Sequence, residues 1–199
     1  MSARPSAQER LAHLAGRLRA RSPGVADRDP PYFEAAVALI LRATRDDDLE
    51  ILFIQRAARD DDPWSGQIAL PGGRHDALDE SLEATAIRET REEVALDLRR
   101  DGAIVGALDE LRPRTPVLPP VIVRPFVATV SGGATVEAGE EVADLFWAPL
   151  DTIVDPASTR DTEIVVRGLR TRRSAIHYRG HVIWGMTERI VANLREVLG

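Results

Sequence analysis

Apolar residues fall into runs whose spacing changes along the chain. Residues 8–21 set Leu11, Leu14 and Leu18 among arginines, the spacing of a short amphipathic helix. Residues 22–31 are rich in Pro, Asp and Arg and read as a linker. The expected organisation is therefore an N-terminal helix and linker over 1–30 and a main domain over 31–199. Two runs, AAVALILR at 35–42 and LEILFIQR at 49–56, flank Asp46-Asp47-Asp48 and predict an antiparallel hairpin around an acidic turn. A short run at 68–70 stops at Pro71-Gly72-Gly73. The pattern turns helical over 79–94, with Ala84, Ile87, Thr90 and Val94 as the expected packing stripe. Strands are predicted at 103–108, 121–130, 142–147, 163–167 and 175–184, the last folded at Arg179-Gly180. Four prolines make 112–120 a loop. A closing helix over 186–198 presents Ile190, Val191, Leu194 and Val197 to the core. The fold class expected is α/β (α+β), a mixed sheet with helices packed on it.

Composition narrows the chemistry. With 199 residues, 44% hydrophobic and 29% charged, the chain is ordinary globular material and not disordered. It has no cysteine, which removes thiol catalysis, disulfides and cysteine metal sites and fits a cytoplasmic setting. All 26 basic residues are arginine, which removes lysine Schiff bases and the P-loop. A net charge of −6 argues against nucleic acid or an anionic membrane as partner, and no stretch has the length of a membrane span. The oligomeric state is left open, a homodimer included.

The informative segment is 71–96, PGGRHDALDESLEATAIRETREEVAL. At about 100° per residue, Glu89, Glu92 and Glu93 share one arc of the helix. Six acids against two bases over 79–93 repel one another unless a cation offsets them. Clustered carboxylates suit Mg²⁺ or Mn²⁺. An acidic helix face alone is commonly just solvated. Behind a turn with exposed backbone, it becomes a coherent site for a metal-bound diphosphate.

This segment resembles the Nudix hydrolases, whose box reads G-x5-E-x7-R-E-U-x-E-E-x-G-U with U aliphatic. Glu80 and Arg88-Glu89-Thr90-Arg91-Glu92-Glu93-Val94-Ala95-Leu96 match its second part. The glycine falls one residue early relative to Glu80, Thr90 replaces the aliphatic residue and Ala95 the last glycine. The resemblance implies an α/β/α sandwich and hydrolysis of a nucleoside diphosphate linked to another moiety. It makes Glu89, Glu92 and Glu93 the metal ligands, Arg88 the residue that orients Glu89, and Glu80 an auxiliary ligand or a partner of Arg88. The carbonyl of Gly72 or Gly73 would add a further ligand. Glu140 and Glu141, before the strand at 142, are candidates for the general base, alongside the box glutamates.

A second, upstream pattern resembles the coenzyme A pyrophosphatase branch, L-L-T-x-R-[SA]-x3-R-x3-G-x3-F-P-G-G. Arg56, Ala57, Gly66 and Pro71-Gly72-Gly73 are in place, while Ile54, Leu70 and Asp61 depart from it. The resemblance implies coenzyme A or a derivative as substrate, with ADP-ribose, NADH and dinucleoside polyphosphates as alternatives and a non-cleaving nucleotide binder as a rival class. Arg167, Arg170, Arg172 and Arg173, or Arg112 and Arg114, are candidate phosphate readers because the arginine fork binds two oxygens.

Overall fold

The computed structural model describes residues 4–59, 64–113, 119–166 and 168–199. Helix α1 (Ala7–Ala20) is started by Ser6, whose side chain accepts from the Glu9 N–H while Glu9 accepts from the Ser6 N–H. Its Leu11, Leu14 and Leu18 are buried in the same cluster as Val191 and Leu194 of the closing helix α4 (Met186–Leu198). Residues between α1 and the first strand are tied to the body. Glu110, with a fully buried side chain, accepts from the Ala26 N–H and from the guanidinium groups of Arg28 and Arg124.

Strands β1 (Phe33–Ala43) and β2 (Leu49–Arg56) form the expected antiparallel hairpin, closed by Asp47 in the left-handed region. β3 (Ile68–Ala69) and β4 (Gly72–Arg74) follow, pairing with β2 and β1. After helix α2 (Leu82–Val94) come β5 (Gly102–Ala107), β6 (Val121–Val130) and β7 (Val142–Pro149). β6 runs parallel to β1 over ten residue pairs, whereas the other pairings are antiparallel, so the seven-stranded sheet is mixed. A short helix α3 (Leu150–Val154) leads to a separate antiparallel sheet of β8 (Thr159–Val166), β9 (Leu169–Tyr178) and β10 (His181–Trp184).

The long apolar runs of β1 and β2 are explained by burial on both faces. Leu39, Leu41, Ile51 and Phe53 point into the core under α1, α3 and α4. Ala36, Ala38, Ile40, Leu52 and Ile54 point the other way, towards α2. The result is an α/β/α sandwich, as expected.

Three expectations need correction. The helix expected over 79–94 starts only at Leu82, because Ser81 caps it and Asp79 is drawn into side-chain bonds described below. Its buried face is Thr85, Ala86, Thr90, Glu93 and Val94, while Ala84 and Ile87 are only half-buried. The helix is rotated so that a glutamate faces the sheet. The strand expected over 163–167 begins four residues sooner, at Thr159, and Arg167 lies outside the described residues.

Candidate active site

The site is built where the Pro71-Gly72-Gly73 turn meets α2. β4 lies against β1 with Gly72 opposite Val37 and Gly73 opposite Ala36. The approach is too close for side chains. A Cβ on Gly72, at φ +152°, would stand 2.3 Å from the Ala36 carbonyl oxygen. One on Gly73 would stand 2.5 Å from the carboxyl carbon of Glu89. The space over Gly73 is thus given to a carboxylate. Gly72 donates its N–H to Glu93 Oε2 at 2.8 Å.

Arg88 organises the helix face. Its Nε and Nη2 donate to Asp79 Oδ1 and Oδ2 at 3.0 and 2.9 Å, a bidentate pair. Its Nη1 donates to Glu89 Oε1 at 2.7 Å and to Glu92 Oε2 at 3.1 Å, and Nη2 also reaches the Arg74 carbonyl at 3.2 Å. Thr85 Oγ1 donates to Asp79 Oδ2 at 2.9 Å and lies 2.8 Å from His75 Nδ1. The partner of Arg88 is therefore Asp79, and Glu80 is exposed in the turn before the helix. One sequence signal points to Asp79: five residues separate it from Gly73, the glycine-to-acid spacing of the box.

The remaining carboxylates are electrostatically loaded. Burial pushes Glu93 up to about 7, and the charges of Glu89 and Glu141 add to this. The Gly72 N–H and Arg56, whose Nη1 is 3.7 Å from Glu93 Oε1, only partly oppose it. Burial also raises Glu89 against the contact with Arg88, while Glu92 and Glu141 push the same way. Glu141 is held by Arg59 at 2.9 Å, and its charge is felt at both glutamates. Glu140 is exposed beside it.

Such a set, with hard oxygens, a buried carboxylate short of positive charge and glycines in place of bulk, fits a divalent cation. Among the described residues no three Asp, Glu or His side chains are gathered as a ready-made cage. Arg88 instead holds Glu89 and Glu92 on its own nitrogen.

A cavity of about 310 Å³ opens beside the turn. Arg56, Gly72, Gly73 and Arg74 line it together with apolar side chains, among them Phe33, Trp64, Leu70, Val121 and Met186. Among the described residues, the other arginines singled out from the sequence are not in its lining. Arg112 turns back to the carbonyls of Asp27, Asp29 and Pro31. Arg170 pairs with Glu163 at 2.7 Å on the β8–β9 ribbon, which also carries the exposed Arg172 and Arg173. Asp61, Arg114 and Arg167 lie outside the described residues.

The departures from the box are locally accommodated. Thr90 is fully buried, and its hydroxyl donates to the Ala86 carbonyl at 2.7 Å, so no polar atom is stranded. Ala95 caps the helix at φ +55°, the left-handed backbone that a glycine adopts more easily.

A mixed sheet between helices, with an acidic helix clamped to a glycine turn, defines a Nudix-type sandwich. The chain belongs to the NUDIX family, whose domain matches residues 32–167. It is 32% identical over 133 residues to the Nudix hydrolase NudL of Photorhabdus laumondii, covering 66% of this chain and 68% of that protein. It is 41% identical over 115 residues to a Schizosaccharomyces pombe protein, covering 55% of this chain but 35% of that one. The chain therefore spans about a third of the length of that fungal relative. A MutT/nudix family protein from Enterococcus faecalis shares the fold, with a TM-score of 0.56 at 17% identity over 99% of this chain and 76% of that one. Hydrolases of this family generally use divalent metals. No helix among the described residues is long and apolar enough to cross a membrane.

Proposed function

We propose that the chain is a Mg²⁺- or Mn²⁺-dependent pyrophosphohydrolase that cleaves coenzyme A, or an acyl-coenzyme A, to 3′,5′-ADP and (acyl-)4′-phosphopantetheine. The observation that carries the hydrolytic reading is the pair of burial-raised glutamates, Glu89 and Glu93, set against the two glycines. Glu89, Glu92 and Glu93 would hold the metal, and the Gly72 or Gly73 carbonyl is a further donor. When bound, the metal neutralises the diphosphate and lowers the pKa of water. Arg88, anchored by Asp79, orients Glu89. Glu141, whose charge reaches the carboxylate group, is the better placed of the two loop glutamates to take the proton of the attacking water. The water oxygen bonds to one phosphorus, the bridging P–O bond breaks, and the proton passes from water to base.

The coenzyme A assignment is supported by the upstream pattern. Arg56, Gly72 and Gly73 of that pattern line the cavity beside the glutamates. The apolar lining suits an uncharged arm attached to a diphosphate. The test is incubation of purified protein with coenzyme A and Mg²⁺ or Mn²⁺, with products resolved by mass. Efficient release of 3′,5′-ADP and 4′-phosphopantetheine is expected. Cleavage of ADP-ribose, NADH or a dinucleoside polyphosphate with coenzyme A untouched would overturn the substrate and keep the chemistry. Nucleotide binding without turnover in Mn²⁺ would overturn both.

A further inference from the structure

The site has several arginines, and most are committed. Arg88 spends its fork on Asp79, Glu89 and Glu92. Arg56 lies 3.7 Å from Glu93, and Arg59 is paired with Glu141. Arg74 differs. It lines the cavity, it is exposed, and no carboxylate among the described residues lies within ion-pair distance of it. Its guanidinium lies over the Phe33 ring, with Cζ 4.7 Å from the ring centroid.

This geometry leaves the donors free. A guanidinium stacked by its face on an aromatic ring still presents its N–H groups at the edge, in the plane that matches two phosphate oxygens. Stacking also limits the rotamers that binding would otherwise have to freeze. The backbone of Arg74 is fixed as well, opposite Ala35 on β1 and with its carbonyl accepting from Arg88. One residue back along the strand, Gly73 faces the Glu89 carboxylate. Gly72 and Gly73 line the same cavity as Arg74, so a group attached to a diphosphate at the glycine turn meets Arg74 where it enters the apolar space.

We propose that Arg74, stacked on Phe33, is a phosphate-binding residue of this site and takes the substrate phosphate on the side facing the apolar cavity. This rests on the reading of the site as one for a diphosphate. It adds the residue that supplies the free positive charge, a need that Arg56 and Arg88 leave unmet.

The experiment measures equilibrium binding of ADP without metal, by calorimetry, to the wild-type chain and to Arg74→Gln, Arg74→Lys and Phe33→Leu. Arg74→Gln is expected to weaken ADP binding about tenfold, the scale of one lost charge-assisted contact. Arg74→Lys should recover part of this, having the charge without the fork, and Phe33→Leu should fall between. With Mg²⁺ and a cleavable diphosphate, Arg74→Gln should raise KM about tenfold with kcat within about threefold, the pattern of lost ground-state binding. Equal ADP binding by wild type and Arg74→Gln, or a loss confined to kcat, would overturn the assignment. A wild type that binds ADP through Arg74 yet cleaves no diphosphate would uphold it and overturn the hydrolase reading. Thermal melts of the variants, expected to match wild type for both Arg74 substitutions because Arg74 is exposed, separate lost binding from lost folding.

Discussion

Gly72 and Glu93, 21 positions apart in the chain, are joined by one hydrogen bond of 2.8 Å from the glycine N–H to the buried carboxylate. That bond fastens the acidic helix to the sheet. It also holds in place a carboxylate that burial disfavours as an anion. The proposed metal-binding role would account for both features: the fold keeps the glutamate buried, and a cation would supply the missing charge.

Glu93→Gln tests this directly. The amide retains an acceptor for the Gly72 N–H and removes a desolvated charge, so the melting temperature should stay within a few degrees or rise slightly. Turnover should fall by about 100-fold or more, the scale of losing one main electrostatic element of a site. Near-normal activity with a normal melt would remove Glu93 from the ligand set.

Asp79 and Glu80 can be told apart by paired substitutions. Asp79 is almost fully buried and carries a bidentate contact with Arg88, and these hydrogen bonds outweigh burial and hold its carboxyl well below the usual range. Asp79→Asn should cost about 2 kcal/mol in denaturant melts, because it leaves Arg88 half-paired. It should also lower kcat about tenfold through a loosened Glu89, since Arg88 acts here as a positioning residue. Glu80→Gln, at an exposed turn, should change stability by less than about 0.5 kcal/mol. Equal effects of the two substitutions would show that the aspartate does not anchor the arginine.

Ala95 offers a stabilising change. It occupies left-handed backbone at the end of α2, at φ +55°. Ala95→Gly should raise stability by about 0.5–1 kcal/mol, relief of the Cβ strain exceeding the extra freedom of the unfolded chain. A drop in the melting temperature would show that the methyl group contributes packing that the strain argument omits.

Glu110 sets a pH dependence remote from the site. Burial alone would raise its carboxyl, but hydrogen bonds from Arg28 and Arg124 and from the Ala26 N–H outweigh that and hold it at about 2, against an ordinary 4.5. A depressed folded-state value means the contribution is full above the unfolded pKa and is lost as the pH falls through the folded one. The difference in unfolding free energy between wild type and Glu110→Gln should be up to about 3 kcal/mol at pH 7 and shrink towards zero between pH 5 and pH 2. Urea titrations at several pH values check this. A constant difference would mean that the arginines do not act through the charge.

Much of this molecule was legible in one dimension. The β1–β2 hairpin, β6 and α4 follow from local patterning, because their side chains report burial at a period that neighbours in sequence share. The four buried residues expected on α4 are the ones that the core encloses. The clustering of Glu89, Glu92 and Glu93 is likewise a property of helical spacing. The rotation of α2 was not legible. Periodicity favours burying Ala84 and Ile87, whereas Glu93 faces inward because Gly72, on another strand, offers it a donor.

Charge partners divide in the same way. From the sequence, Arg112 and the arginines at 170–173 are as good phosphate readers as any. The fold turns Arg112 back onto the carbonyls at 27–31, carries Arg170, Arg172 and Arg173 away on a separate ribbon, and leaves Arg74 at the cavity, stacked on Phe33 and with no ion-pair partner among the described residues. The elements, the family and the carboxylate cluster can be read from residue type and spacing, because they depend on one chain segment at a time. Folding settles that Asp79, and not Glu80, anchors Arg88, which glutamate is buried, and which cavity arginine has no carboxylate partner among the described residues. Those outcomes depend on distances between segments brought together by folding, and adjacency in the chain does not encode them.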